Sequence, residues 1–147
     1  KFLSMTQRFK MIASAYLFLV ADGKILLSRR FHTGYEDGNY SVPAGHVEDG
    51  ETLIECLIRE AKEEIGIEIE KKDVSLVHVM HRKEMDIRVD FFFTIKNWKG
   101  TPKNCEPQKC DELAWFSFGS LPTNTVGYIA LAIESWQRAE MYTERGF

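Results

Sequence analysis

No stretch of this 147-residue chain approaches the roughly eighteen consecutive apolar residues that a membrane-spanning helix requires. The run Met11 to Val20 carries Ser14 and Tyr16 and reads as a strand. A secretory pattern is missing from the N-terminus, where Met5 reads as the natural start and Lys1 to Ser4 as a vector-derived or disordered extension. Cysteine is scarce and odd in number: Cys56, Cys105 and Cys110. That excludes a disulfide framework and points to reduced thiols in a cytoplasmic protein. Zinc is disfavoured too, because no second pair follows Cys105 and Cys110, and His78 and His81 fall on opposite faces of an expected strand. An excess of positive charge is also missing. The formal net charge of −3 argues against gripping long nucleic acids by bulk electrostatics. Repeats and low-complexity tracts are absent.

What is there is enough for one core. With 44% hydrophobic and 12% aromatic residues, the chain is expected to fold as a single domain over 1–147 with no internal boundary. Met11 to Val20 and Lys24 to Arg30 are strand-like and joined by the hairpin signal Asp22-Gly23. Phe31 to Asn39 is a loop on the expected substrate side, followed by a short strand at Tyr40 to Val42. Val74 to Lys83, Ile87 to Lys96 and Asp111 to Phe118 read as further strands. Val126, Ile129, Ala130, Ile133 and Trp136 recur at helical spacing, which predicts a helix from Thr125 to about Met141. Strands flanked by two helices suggest an α/β/α sandwich around a mixed sheet.

The densest information lies between Gly45 and Ile67. Thr52 and Glu55 form a capping box, Leu53, Leu57, Ala61 and Ile65 an apolar stripe, and Gly66 a left-handed stop. On this helix Glu60, Glu63 and Glu64 stand within one turn, and like charges three and four residues apart repel by a few tenths of a kcal/mol per pair. Something must offset that repulsion. The compact loop Pro43-Ala44-Gly45 and the acidic turn Glu48 to Glu51 feed the helix, so hard oxygen donors gather at one place and suit Mg²⁺ or Mn²⁺ bridging to phosphates.

Written out, the segment is Gly45, five residues, Glu51, seven residues, then Arg59-Glu60-Ala61-Lys62-Glu63-Glu64-Ile65-Gly66-Ile67. It resembles the complete signature of the Nudix hydrolases. The resemblance implies the Nudix α/β/α sandwich and a Mg²⁺-dependent hydrolase of nucleoside diphosphates linked to a further group. It implies Glu60, Glu63 and Glu64 as metal ligands, with the Ala44 carbonyl as another. Arg59 would steady the carboxylates, and Glu51 would hold or activate water. Shorter matches resemble the MutT-type branch: Ile25 to Arg30 implies that Arg30 contacts the nucleotide, Trp98 to Glu106 that Glu106 approaches the metal, and Leu121 to Asn124 that Asn124 reads a purine edge. Ala44 stands where that branch usually has glycine and His46 where it often has lysine. His46 joins Arg30 and Asn124 as a substrate-side candidate. Arg82 and Lys83, and Met85 and Asp86, stand where ADP-ribose and dinucleoside polyphosphate hydrolases carry their markers, so neither substrate is favoured.

The expected activity is therefore hydrolysis of a nucleoside triphosphate to nucleoside monophosphate and pyrophosphate. Hydrolysis of a nucleotide sugar, a dinucleotide or a capped RNA end is the alternative within the family, and a non-catalytic nucleotide sensor the alternative outside it. The partner expected is a small nucleotide, with no membrane and no long nucleic acid, and the resemblance carries a homodimer as an expectation.

Overall fold

In β1 (Ile12–Phe18) alternate side chains go to opposite faces of a sheet. Tyr16 and Phe18 join one core cluster, while Ala15 and Leu17 join another. The computed structural model in which this is seen describes residues 6–147; Lys1 to Ser4 and the Met5 start lie outside the described residues. Strand β2 (Val20–Ala21) turns through Asp22 (φ 51°) and Gly23 (φ 72°) into β3 (Lys24–Arg30), the two positive φ values of a tight hairpin turn. After β4 (Tyr40–Ser41) and β5 (Ala44–His46) comes helix α1 (Leu53–Ile65), then β6 (Val74–Lys83), β7 (Ile87–Ile95), β8 (Cys110–Ser117), helix α2 (Gly127–Gln137) and β9 (Tyr142–Arg145).

Five strands form a mixed sheet in the order β5-β1-β7-β6-β9. Strand β1 runs parallel to β7 and antiparallel to β5, and β9 lies parallel to β6. A second sheet is centred on β3, with β2 and β4 along one edge and β8 along the other. Helix α1 buries Cys56, Leu57, Ala61 and Ile65 against Ala15, Leu17 and Leu19. Helix α2 buries Ile129, Ala132 and Ile133 against Phe18, Met80 and Phe92 on the opposite side. The mixed sheet thus lies between two helices, as expected of a Nudix sandwich. Among the described residues no helix is long and apolar enough to cross a membrane.

The α1 boundaries follow from their caps. Thr52 and Glu55 make both capping-box hydrogen bonds, and Gly66 at φ 71° returns its N–H to Lys62. Three segments differ from expectation. Met11 to Val20, expected as one strand, is interrupted at Leu19 between β1 and β2. Ala44–His46, expected as loop, pairs with β1 as an edge strand; three residues beginning after Pro43 are too short to show alternation. The final helix ends at Gln137 rather than near Met141, because Ala139 adopts φ 58° and the chain reverses into β9. His78 holds that reversal, one ring nitrogen on the Glu140 carbonyl and the other on Thr143 Oγ1.

Candidate functional site

Helix α1 turns Arg59, Glu60 and Glu64 toward β5, where Arg59 Nη2 donates to the His46 carbonyl at 3.4 Å, Ala44 N–H donates to Glu64 at 3.1 Å and Gly45 lies against Glu60. The segment after β7 is tied to the same helix end by Lys103 N–H to the Ile65 carbonyl and Cys105 N–H to the Glu64 carbonyl. Between them opens a cavity of about 610 Å³ lined by Glu60, Glu63, Glu64, Glu106 and Arg30. The acidic residues read from the sequence are therefore brought together, and Glu106 joins them from a loop more than forty residues away.

Arg59 organises the group. Its Nε and Nη2 donate to the two oxygens of Glu51 at 2.7 and 3.0 Å, and Nη1 donates to Glu60 at 2.7 Å and Glu63 at 3.3 Å. The hydrogen bond from Arg59 holds Glu51 down to about 2. Loss of solvent pushes the Glu60 carboxyl up despite Arg59. Glu64 is pushed well above the ordinary range by desolvation first, then by the charges of Glu60 and Glu106, although Ala44 N–H donates to it at 3.1 Å. The helix thus keeps ionisable oxygens in a place where their charge is disfavoured.

The Glu51 shift has a measurable sign. A carboxyl held lower in the folded state contributes stability above its ordinary value of 4.5 and loses it as pH falls toward about 2. Thermal melting of Glu51→Gln against pH is expected to show a flatter acid limb over that interval than the native protein.

Gly45 sets the fit of β5 against the helix. A Cβ at this position would stand 2.2 Å from the Glu60 carboxyl oxygen, closer than atoms approach. Gly45→Ala is expected to displace the whole Glu60 side chain, whose Cγ would also stand 2.4 Å away, and to lower magnesium-dependent turnover by about tenfold or more in steady-state assays.

The remaining candidates are placed as follows. Arg30 lines the cavity but donates to the Tyr35 carbonyl at 2.6 Å and to Thr33 Oγ1 at 3.1 Å, so it also holds the 31–39 loop. Ala44 contributes its N–H to Glu64. His46 lines the cavity, accepting from Arg88 Nη1 at 3.1 Å. Asn124 donates to the Gly38 carbonyl at 2.8 Å and clamps that loop to the start of the last helix; it does not line this cavity.

A second cavity of about 410 Å³ lies across β5 and shares Arg30, Ala44, Gly45 and His46 with the first. Beyond these shared residues, its walls were not among the site candidates read from the sequence. Arg82 is 2% exposed, donates to Asp90 at 2.7 Å and to Glu84 at 2.8 Å, and stacks 3.7 Å over the Tyr128 ring. Burial works against its charge, and the Asp90 hydrogen bond together with the charge of Asp90 and the neighbouring tyrosines more than restores it. Tyr16 donates to the other Asp90 oxygen at 3.1 Å. The available signal was parity: Arg82 shares a strand face with His78 and Met80, and the facing strand sets Asp90 opposite Met80.

The family model described as NUDIX domain matches residues 10–134. This chain belongs to the Nudix family. Over 111 residues it is 50% identical to the NAD-capped RNA hydrolase NudC of Vibrio atlanticus, covering 74% of this chain and 39% of that protein. Over 88 residues it is 36% identical to the human (Homo sapiens) 8-oxo-dGDP phosphatase NUDT18, covering 58% of this chain and 26% of that one. The chain thus spans about two fifths or less of these curated relatives. Among solved structures, a MutT NUDIX hydrolase from Burkholderia pseudomallei superposes with a TM-score of 0.78 at 26% identity, over 86% of this chain and 98% of that one.

The Nudix helix offers carboxylate oxygens, the donor type a hard divalent ion prefers, and their desolvation fits a cation. As they stand, no three Asp, Glu, His or Cys side chains among the described residues form a ready ligand cluster, and Glu51 and Glu60 are drawn on to Arg59.

Proposed function

We propose that this Nudix protein hydrolyses a phosphoanhydride in a nucleoside diphosphate linked to a further group, with Mg²⁺, or Mn²⁺ in its place, held by Glu60, Glu63, Glu64 and the Ala44 carbonyl. The observation that carries the reading is the desolvated pair Glu60 and Glu64, whose mutual repulsion a cation would offset. When bound, the ion would neutralise phosphate charge and lower the pKa of water. Arg59 keeps the carboxylates in register. Glu51, with both oxygens on Arg59 and one also accepting from Glu48 N–H at 3.1 Å, holds the turn; this favours Glu60 or Glu106 as the acceptor of the water proton. Arg30 and His46, at the junction of the two cavities, are placed to meet the phosphates or the group beyond them.

A nucleoside triphosphate yielding monophosphate and pyrophosphate is the leading substrate class. A second reading, a dinucleotide or a capped RNA end, is favoured by the names of the NudC relatives and by the adjoining second cavity. An RNA end presents the same pyrophosphate, so this reading requires no basic groove for long nucleic acid. The test is a panel of nucleoside triphosphates, nucleotide sugars, dinucleotides and NAD-capped RNA, with Mg²⁺ and with EDTA, and with product identification. Hydrolysis abolished by EDTA is expected. Tight binding without turnover of any member would replace the enzyme with a sensor.

A further inference from the structure

The acids that α1 brings to the first cavity are held by their side chains: Arg59 donates to Glu51, Glu60 and Glu63, and Ala44 N–H donates to Glu64. Glu106 lines the same cavity but is held through its backbone. Its N–H donates to Asn104 Oδ1 at 3.1 Å, and its carbonyl accepts from Lys109 N–H at 2.9 Å and from Cys110 N–H at 3.0 Å. The nitrogen of the same Asn104 amide donates to the Cys110 carbonyl at 2.7 Å. One side chain thus closes the turn 104–110 at both ends, and a single orientation of the amide satisfies both bonds.

Two further restraints bear on the direction in which Glu106 points. Pro107 follows it, and the residue before a proline is kept out of the helical region. Cys105, between Asn104 and Glu106, donates its N–H to the Glu64 carbonyl at 3.0 Å, so the turn is pinned to the end of α1 one residue away from the carboxylate it presents. Asn104 itself lines the cavity. Its Oδ1 and Nδ2 are already engaged inside the loop, which leaves it a structural part in the site rather than a contact to substrate.

Resting on the reading of the first cavity as the site of hydrolysis, we propose that Asn104 is a positioning residue that aims the Glu106 carboxylate at the acids of α1 and acts on the reaction through Glu106 alone. A reacting group misplaced by about an ångström can cost on the order of a hundredfold in rate. An asparagine that merely stabilised the loop would lower activity whether or not residue 106 carried a carboxylate.

A double-variant cycle on the full chain separates the two. Asn104→Ala is expected to lower kcat about tenfold while KM stays within about twofold. In a Glu106→Gln background the same change is expected to lower kcat by no more than about a further twofold, the margin within which independent measurements agree. Asn104→Ser offers a hydroxyl that accepts the N–H two residues on, more weakly than asparagine does; it is expected to recover part of the loss, and it gives the second reading should Asn104→Ala fail to fold. Two measurements need no turnover. Hydrogen exchange at the Glu106 amide is expected to quicken about fivefold or more in Asn104→Ala, and calorimetric magnesium binding by Asn104→Ala is expected to match that of Glu106→Gln within about twofold. Losses in kcat that multiply, a rise in KM without a fall in kcat, or an exchange rate that Asn104→Ala leaves unchanged overturns the proposal. So does a magnesium affinity lost in Asn104→Ala and kept in Glu106→Gln, which would place the action of Asn104 on the helix carboxylates. A native protein without magnesium-dependent hydrolysis would remove the enzymatic reading, and the exchange and magnesium measurements would still decide whether Asn104 aims Glu106.

Discussion

Glu64→Gln is expected to lose at least about a hundredfold in magnesium-dependent turnover, the order seen when a charged group that stabilises a transition state is neutralised in place, while its metal-free form melts higher than the native protein. The two effects share a cause. Glu64 is penalised in the fold by desolvation and then by the charges of Glu60 and Glu106, and a neutral amide of the same shape escapes both while still accepting from the Ala44 N–H. Magnesium should raise the melting temperature of the native protein and leave the variant nearly unmoved, by mass action on the folded state. Steady-state turnover and paired melting curves with and without Mg²⁺ check this. Native turnover in Glu64→Gln under saturating Mg²⁺ would remove it from the metal face.

The second large effect concerns folding. Asp90→Ala would leave the Arg82 guanidinium, 2% exposed, with Glu84 at one nitrogen and the Tyr128 ring beneath it, but with no partner at Nε. Breaking a buried pair from one side costs about 3–5 kcal/mol. At about 2–4 °C per kcal/mol for a chain of this size, the melting temperature should fall by roughly 10 °C. Replacing both partners by apolar residues should recover much of the loss, since the desolvation cost of the remaining charge disappears. A drop of only a degree or two in Asp90→Ala would mean that solvent reaches Arg82 and that the pair is not a structural element.

Local rules made much of the first cavity legible. The capping box, the apolar stripe and Gly66 mark α1 because each acts within four or five residues, and the same helical repeat places Arg59, Glu60, Glu63 and Glu64 together. The strand Lys24–Arg30 matched because the Asp22-Gly23 turn marks the hairpin that opens it, and Val74–Lys83 because its valines favour a strand without a distant partner. Arg30 and Glu106 were reached only through short matches outside the helix, and both line the acidic cavity. Asn124 came by the same route, and its amide lies on the Gly38 carbonyl. The strand at Ala44–His46 and the terminal strand at Tyr142–Arg145 carried too little pattern: the first is three residues long, and the second follows a helical repeat that a single residue, Ala139, ends by adopting a left-handed conformation.

The chain alone therefore carried the Nudix signature and the acidic helix, because both are written in residues a few positions apart. Only the tertiary structure decided that β5 separates two joined cavities, that Arg82 is a buried cation rather than a surface charge, and that the loop carrying Glu106 is tied to the end of α1. Those outcomes depend on pairings such as Tyr16 with Asp90, 74 residues apart. Strand order and register set such pairings, and no local periodicity encodes them.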